Sequence, residues 1–587
     1  MKIKFIILAL VTATSNLFGD LHSLGKPHQC SISGDKPILE ADIIVVGGGA
    51  AGCVLMNRLS KNGLFSVLGI EAGANLTDDP AIQAVGLPAF LLPATAAYKY
   101  FWWGWKQTKP QPTLNGRIGS DWITGMILGG GSSVNGLYYG RGSNAVYSRW
   151  EEISGSDNWS LDKILATFKA LENYQGLIIT PGARGHKGRV NVLQTPTVSQ
   201  MTLNVILPAS QAAFPGIPTV VDYNDPSVEN CIDPRAQWFI DPTGTKRVSS
   251  ATAFLNSSVM TPEGYGVNGH DLRVLFDSVA VKIVFNKHGR AKKVKFMKDG
   301  QLFEARARKA VVLAGGINSS KLLQLSGIGP EKTLKNAGIK PVFINKNVGK
   351  HLQNHPLIGI TLRANPAHNG VPPGAPYAFT INNVYLPEVG GSSSDPRMLQ
   401  ILFEFIPATA QTDPFLVVGF ELLNPKSEGS VKIQSDNSFQ IAAVNDGFYQ
   451  DPEDLQNMKD AIKVYIKNLL NQLAIIGAPY YTPVLLDPIN LVILSGYNDI
   501  FVDSYVRNNT NLFGDGRHFT SHCKMAPLNA GGVVDGNTRV YGTKNVYVTD
   551  VSICPVIPDI NTAGPAMMIG LRSSEILKHV LRKKGDK

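Results

Sequence analysis

The segment Asp42–Gly52 reads D-I-I-V-V-G-G-G-A-A-G, and Glu71 closes a second apolar run further on. The run Ile43–Val46 ends abruptly in glycines, as expected of a buried parallel strand that turns into a helix. In such a turn Gly47 lets the chain reverse sharply, and Gly49 lets backbone approach a pyrophosphate. Gly52 then lets the new helix lie close on the sheet. The helix start offers free N–H groups and the positive end of its dipole to that anion. Glu71 stands about 20 residues on, where a carboxylate takes ribose hydroxyls. Glycines alone would be a weak sign. Strand, turn, helix and placed carboxylate together indicate a dinucleotide site.

A chain of 587 residues is too long for one hydrophobic core, so at least two domains are expected. The net charge of +10 is spread thinly, and its only basic cluster is the tail Lys578–Lys587. No aromatic residues interleave with it, so nucleic acid is not an expected partner. Lys2 and Lys4 precede the apolar stretch Phe5–Val11, with small and polar residues through Gly19. That is a signal-peptide pattern over residues 1–19, too short to span a bilayer. A secreted or otherwise exported protein with no membrane span in its mature chain is expected. Sequons at Asn75, Asn158, Asn256 and Asn508 fit export in a eukaryotic host, while Asn318 also matches but is expected to be buried. Five cysteines without C-x-x-C spacing argue against a metal site. A Cys30–Cys231 bridge is left open, and Cys53 is expected to pack under the dinucleotide helix.

Beyond Glu71 an aromatic cluster follows: Tyr98, Tyr100, Phe101, Trp102, Trp103 and Trp105. The Gly/Ser-rich stretch Gly125–Asn135 then offers N–H groups to a polar cofactor edge. Residues 160–175 pattern as an amphipathic helix and Leu272–Phe285 as one strand. A short buried strand covers Lys309–Ala314, strands dominate 355–445, and Leu455–Ile475 is helical. The last 70 residues return to α/β character, with a strand at Val546–Asp550 and a helix from Thr562 to Leu581. The returning strands and glycines suggest one nucleotide-binding domain assembled from three separated segments.

Four motifs in fixed order carry a resemblance to the glucose–methanol–choline (GMC) oxidoreductases, FAD-dependent alcohol oxidases and dehydrogenases. The first is Gly47–Gly52 with Glu71, the second Leu128–Asn135 with Arg141-Gly142, and the third Gly315–Gly329. The fourth runs from His518-Phe-Thr-Ser-His-Cys-Lys-Met525 through Val540-Tyr-Gly542 and Asp550–Ile553 to Asn561. The resemblance implies an α/β fold: a Rossmann-like FAD-binding domain with a parallel sheet, plus an antiparallel-sheet α+β substrate domain. The implied FAD-binding segments are 38–155, 246–350 and 516–587, and the substrate segments 156–245 and 351–515.

By the same resemblance Gly47, Gly49, Ala50, Ala51, Gly52 and Glu71 would serve the pyrophosphate and adenosine ribose of FAD. Gly131, Asn135 and Gly136 would line the flavin, Ala280 would meet the adenine through its backbone, and Asp550 would approach the ribityl–pyrophosphate region. His518 matches the catalytic histidine and Asn561 its partner position. His522 stands where a small residue is usual, and is read as a surface or supporting residue or as a rival base. Ser320 replaces the usual proline, and Ile123–Met126 lacks the usual Arg/Lys pair. Val134 occupies the position where some members attach FAD through histidine, so a non-covalent cofactor is implied.

The chemistry suits the pair. Alcohol oxidation removes a hydroxyl proton as hydride leaves the carbinol carbon for flavin N5. Histidine supplies a base near neutrality, and an uncharged amide fixes the oxygen as alkoxide character develops. The expected reaction converts a primary alcohol to the aldehyde, with the aromatic cluster tilting the substrate toward aryl or hydrophobic alcohols. Dioxygen or a quinone-type carrier would accept the electrons. The alternatives are a lyase of the hydroxynitrile type with a redox-idle FAD, and a catalytically silent flavoprotein.

Overall fold

The computed structural model describes residues 39–583 apart from 86–97, 106–109, 118–121, 196–197, 365–380, 385–395, 407–414, 478–480, 484–487 and 512–516. The expected signal segment 1–19 and Cys30 lie outside the described residues.

The apolar run after Leu39 forms strand β1 (Leu39–Val46), in which Ile43, Ile44 and Val45 are fully buried. Each such side chain contributes about 1.5–3 kcal/mol when removed from water. The glycine turn leads into helix α1 (Ala50–Ser60), and β2 (Val67–Ile70) pairs parallel to β1. The expected strand Leu272–Phe285 is two strands, β3 (Leu272–Leu275) and β4 (Ser278–Phe285). Asp277 between them takes a left-handed φ of 51°, which breaks the extended backbone. Strands β5 (Ala291–Lys298) and β6 (Gln301–Leu313) follow, then helix α2 (Ile317–Leu325). Near the end of the chain come β7 (Val546–Val548) and helix α3 (Ala563–Lys583).

These seven strands make one sheet in the order β4-β5-β6-β1-β2-β3, with β7 also paired to β6. The β3-β2-β1-β6-β7 pairings are parallel, whereas β4, β5 and β6 pair antiparallel. Residues far apart in sequence therefore meet in a single sheet, because the thirteen-residue β6 pairs with β1, β5 and β7 along its length.

A second sheet of six strands is antiparallel throughout, in the order Tyr481–Pro483, Leu357–Ala364, Phe415–Leu422, Leu399–Ile406, Ile381–Val384 and Cys231–Asp233. Ile358, Ile360, Ile401, Phe403, Val418 and Phe420 alternate along its strands and are buried together with residues of helices Leu207–Ala213 and Lys467–Ile476. That period of two is what a sheet with one buried face requires. The expected helix Leu455–Ile475 is observed from Pro452 to Ile476, with a wider-turn stretch at Ala461–Ile466. Asp451 starts it by accepting the Glu453 N–H.

Candidate active site

A cavity of about 680 Å³ is lined from both ends of the chain: Gly47, Gly49, Ala50, Ala51 and Glu71 on one part of its wall, and His518, Asp550 and Asn561 on another. Gly131, Asn135, Gly136 and Ala280 also line it. Gly52 stands beside the cavity in the first turn of α1, where an added Cβ would lie 2.0 Å from the Gly47 carbonyl. Gly47 has φ +99°, and a Cβ there would meet the Ala314 carbonyl at 2.5 Å. Both positions are closed to any larger residue.

Two helices begin on this cavity. The N-caps of α1 and α2, Gly49 and Gly316, supply no side-chain hydrogen bond; the first N–H groups of α1 are left for an external acceptor, whereas in α2 Asn318 N and Ser319 N already bond the carbonyls of Gly315 and Gly316. Glu71 is buried and accepts from Gly48 N at 2.6 Å and Gly73 N at 2.8 Å. Burial pushes its carboxyl up to about 7. Asp550 accepts from Gly316 N at 3.0 Å and Ser319 Oγ at 2.6 Å, which ties the α2 turn to the end of β7. Asn135 Oδ1 accepts from Arg247 at 2.8 Å and from Leu137 N at 3.1 Å, so its amide N–H groups point elsewhere.

The cavity fits an extended dinucleotide. A Cβ at Gly131 or Gly316 would meet nothing within 4 Å, so both glycines keep lining space open. Lys321, which sequence reasoning missed, also lines it from α2 and donates to the Ser438 carbonyl at 2.8 Å. Burial lowers its ammonium to about 8, a cost that a diphosphate beside it would relieve. Its position four residues into a helix that begins on the cavity was the available signal.

His518 sits in a loop held on both sides. Gln353 and Thr520 exchange backbone hydrogen bonds, and Ser521 N and Cys523 N reach the carbonyls of Val551 and Ser552. Asn354 Oδ1 accepts from His518 N at 2.9 Å and from His355 N at 3.0 Å. Arg517 and Ser521 take left-handed φ of 51° and 69°, strain of the kind that surrounding bonds must hold in place. The His518 ring is 6% exposed, and burial pushes it down to about 3, so it is neutral at physiological pH. Its Nε2 meets Asn561 Nδ2 at 3.3 Å, and its Nδ1 meets His355 Nδ1 at 2.8 Å. His355 had no place in any motif and was not foreseen.

His522 is not a surface residue. It is fully buried, does not line the cavity, and its Nδ1 bonds Ser320 Oγ at 2.9 Å. Asn318, expected to be buried, is half-buried and lines the cavity. Arg141 turns away from the cavity into a buried ion pair with Glu172, which Arg184 shares. Of the aromatic cluster, Tyr100 and Phe101 are buried against Ile127 and Val134, which themselves line the cavity. The side chains of Trp102, Trp103 and Trp105 lie outside the described residues. Cys53 is buried in α1, with its thiol donating to the Gly48 carbonyl, and Cys231 is buried in the second sheet.

Two helix starts aimed from a parallel sheet into one cavity, with a carboxylate on the glycine turn and a histidine–asparagine pair on the same wall, define a dinucleotide-dependent oxidoreductase. The chain belongs to the GMC oxidoreductase family, whose models match residues 41–357 and 425–570. It is an FAD oxidoreductase acting on CH–OH groups. It is 29% identical over 573 residues to an oxygen-dependent choline dehydrogenase of Rhizobium meliloti, covering 92% of this chain and 96% of that one. It is also 28% identical over 588 residues to a pyranose dehydrogenase of Agaricus campestris, covering 92% and 93%. Pyridoxine 4-oxidase from Mesorbium loti shares the fold, with a TM-score of 0.77 at 24% identity, covering 92% of this chain and 99% of that one. Among the described residues no helix is long and apolar enough to cross a membrane.

Proposed function

We propose that this chain oxidises a primary alcohol, of aryl or hydrophobic type, to its aldehyde, with His518 as general base and FAD held without a covalent bond. The observation that carries this reading is the His518 Nε2–Asn561 Nδ2 contact of 3.3 Å on the wall of the same cavity that the two helix starts face. Bound FAD would supply the acceptor for the carbinol hydride. The chain's own residues handle the proton: the O–H bond breaks as His518 Nε2 takes the hydrogen, and the Asn561 amide holds the oxygen. A buried ring that is neutral at physiological pH has its lone pair available for that transfer.

Glu71, Gly47, Gly49, Gly52, Ala50 and Ala51 would hold the adenosine and pyrophosphate, with Ala280 at the adenine and Asp550 nearer the ribityl chain. Gly131, Asn135 and Gly136 would border the flavin. Val134 carries no nucleophile, which supports non-covalent binding; acid precipitation should release all the FAD. The leader pattern at residues 1–19 supports export, and dioxygen or a quinone-type carrier would complete the cycle. The test is an anaerobic absorption spectrum with benzylic, aliphatic and sugar alcohols. Bleaching of the oxidised-flavin band by benzylic or aliphatic alcohols supports the reading, and its return in air identifies dioxygen as acceptor. Bleaching by sugars alone would overturn the substrate class. A flavin band that no alcohol bleaches, in a protein that cleaves cyanohydrins, would replace the oxidation with a lyase.

A further inference from the structure

His355 stands directly behind His518. The two rings meet edge to face with centroids 4.9 Å apart and Nδ1 to Nδ1 at 2.8 Å. Two ring nitrogens at that separation share one hydrogen, so one donates and the other accepts. The neighbours decide which. Asn561 Nδ2 donates toward His518 Nε2, which places the hydrogen of that ring on Nδ1. The His355 ring therefore accepts at Nδ1 and carries its own hydrogen on Nε2. Glu421 lies behind the pair, 3% exposed, with Oε2 3.9 Å from His355 Nδ1.

This arrangement bears on the proton transfer argued above, and rests on that reading of His518. We propose that His355 is a positioning residue: it accepts the Nδ1–H of His518, so that the Nε2 lone pair faces the cavity. Glu421 adds a negative charge behind it that stabilises the imidazolium formed when Nε2 takes the hydroxyl proton. The proton stays on His518 and no bond to His355 forms or breaks. A wrong tautomer would present an N–H to the alcohol, and the base would be lost although every group remained in place.

The same three groups could hold a cation, since their ligand atoms lie within 4.8 Å of one another. Two nitrogens at about 2.0–2.1 Å from one tetrahedral zinc would stand about 3.4 Å apart. The observed 2.8 Å is a hydrogen-bond distance.

The test compares the holoenzyme with His355→Leu, His355→Asn, Glu421→Gln and His518→Ala. The readouts are FAD content, the limiting rate of anaerobic flavin reduction by the best alcohol, and the alcohol concentration for half-saturation. His355→Leu should keep its FAD and half-saturation while the limiting rate falls about 100-fold. His355→Asn, whose amide oxygen accepts the same hydrogen, should recover to within about tenfold of wild type, and Glu421→Gln should lose about tenfold. A wild-type rate in His355→Leu overturns the proposal, as does an equal loss in His355→Asn. One equivalent of metal in the purified enzyme, with chelation abolishing flavin reduction, also overturns it in favour of a cation site. If His355→Leu does not retain FAD, a slowed Glu421→Gln beside a near-normal His355→Asn upholds it, and the reverse pattern overturns it. His518→Ala separates the two readings. A wild-type rate there sinks the general base itself, whereas its loss beside a normal His355→Leu sinks only the positioning role.

Discussion

Along the Gly47–Glu71 part of the cavity wall, the contacts offered are mostly backbone: N–H groups at the start of α1, and glycines whose missing side chains leave room. Around His518 they are side chains, where His355, Asn561, Glu421 and Asn354 meet from three separate stretches. The two parts should fail differently. Backbone contacts are lost by adding atoms, and the ring network by removing them. His518→Ala should therefore lower alcohol-driven flavin reduction about 10²- to 10⁴-fold with FAD still bound. Rapid-mixing absorbance of the anaerobic enzyme measures this. A fall in FAD content matching the fall in rate would show that the two parts are not independent.

The converse change is Gly131→Val. Nothing lies within 4 Å of a Cβ at Gly131, so the chain should fold with its melting temperature unchanged in the absence of FAD. The added side chain fills lining space, and FAD retention should drop at least about tenfold, the equivalent of about 1.4 kcal/mol. FAD fluorescence released per protein after desalting checks this. Gly47→Ala offers the contrast, because a Cβ 2.5 Å from the Ala314 carbonyl at φ +99° must strain the backbone itself. There both FAD and stability should fall.

Lys321 adds a cationic side chain to the part of the wall that the start of α2 forms. Its ammonium, lowered to about 8 by burial, is charged below that value and neutral above it. A diphosphate stabilises the charged form, so FAD affinity should weaken as pH rises through about 8. Lys321→Met should bind FAD about tenfold more weakly at pH 7 and show a flat profile from pH 7 to 9. Titration of the deflavinated protein by fluorescence quenching measures both. An unchanged pH dependence in the variant would return Lys321 to the role of a loop tether on Ser438.

The same contrast explains what could be read from the chain. A glycine at a turn states its geometry locally: Gly47 must take a positive φ and Gly52 must pass close to backbone, so their spacing revealed the turn on one wall of the cavity. Three segments of one sheet were recognisable because β1, the end of β6 and β7 are short apolar runs beside glycine or aspartate turns. His518 was legible only through its companions in the tail motif. His355 and Glu421 were not, since His355 reaches His518 across 163 residues and nothing in the local pattern marks either. A side-chain network has no period and no spacing rule. Leu272–Phe285 misled for another reason: its alternation is continuous, and only the left-handed Asp277 divides it.

Ser320 and His522 sharpen this point, because each departs from the pattern of the resemblance and the fold makes them partners, Oγ to Nδ1 at 2.9 Å. A proline at 320 would leave that imidazole without its only described hydrogen bond, and a small residue at 522 would leave the hydroxyl without a ring to bond. The pair has a thermodynamic signature. Burial pushes His522 down to about 3, whereas in the unfolded chain it titrates near the usual value of about 6.5. Between those values the unfolded state binds a proton that the folded state does not, so this group's contribution is complete above about pH 6.5 and shrinks as pH falls toward 3. Glu71, raised to about 7, acts in the opposite sense, holding its proton in the folded state where the unfolded chain has released it. The whole-protein slope is thus a difference of such terms, and a variant isolates one of them. His522→Thr should reduce the acid slope of unfolding free energy between pH 4.5 and 6 by one proton, about 1.4 kcal/mol per pH unit. Urea unfolding of wild type and variant at matched pH values gives the comparison, in which the cavity left by the smaller side chain shifts both ends equally and cancels. An unchanged slope would mean that His522 is already protonated in the folded chain, and that its bond to Ser320 is made by an imidazolium.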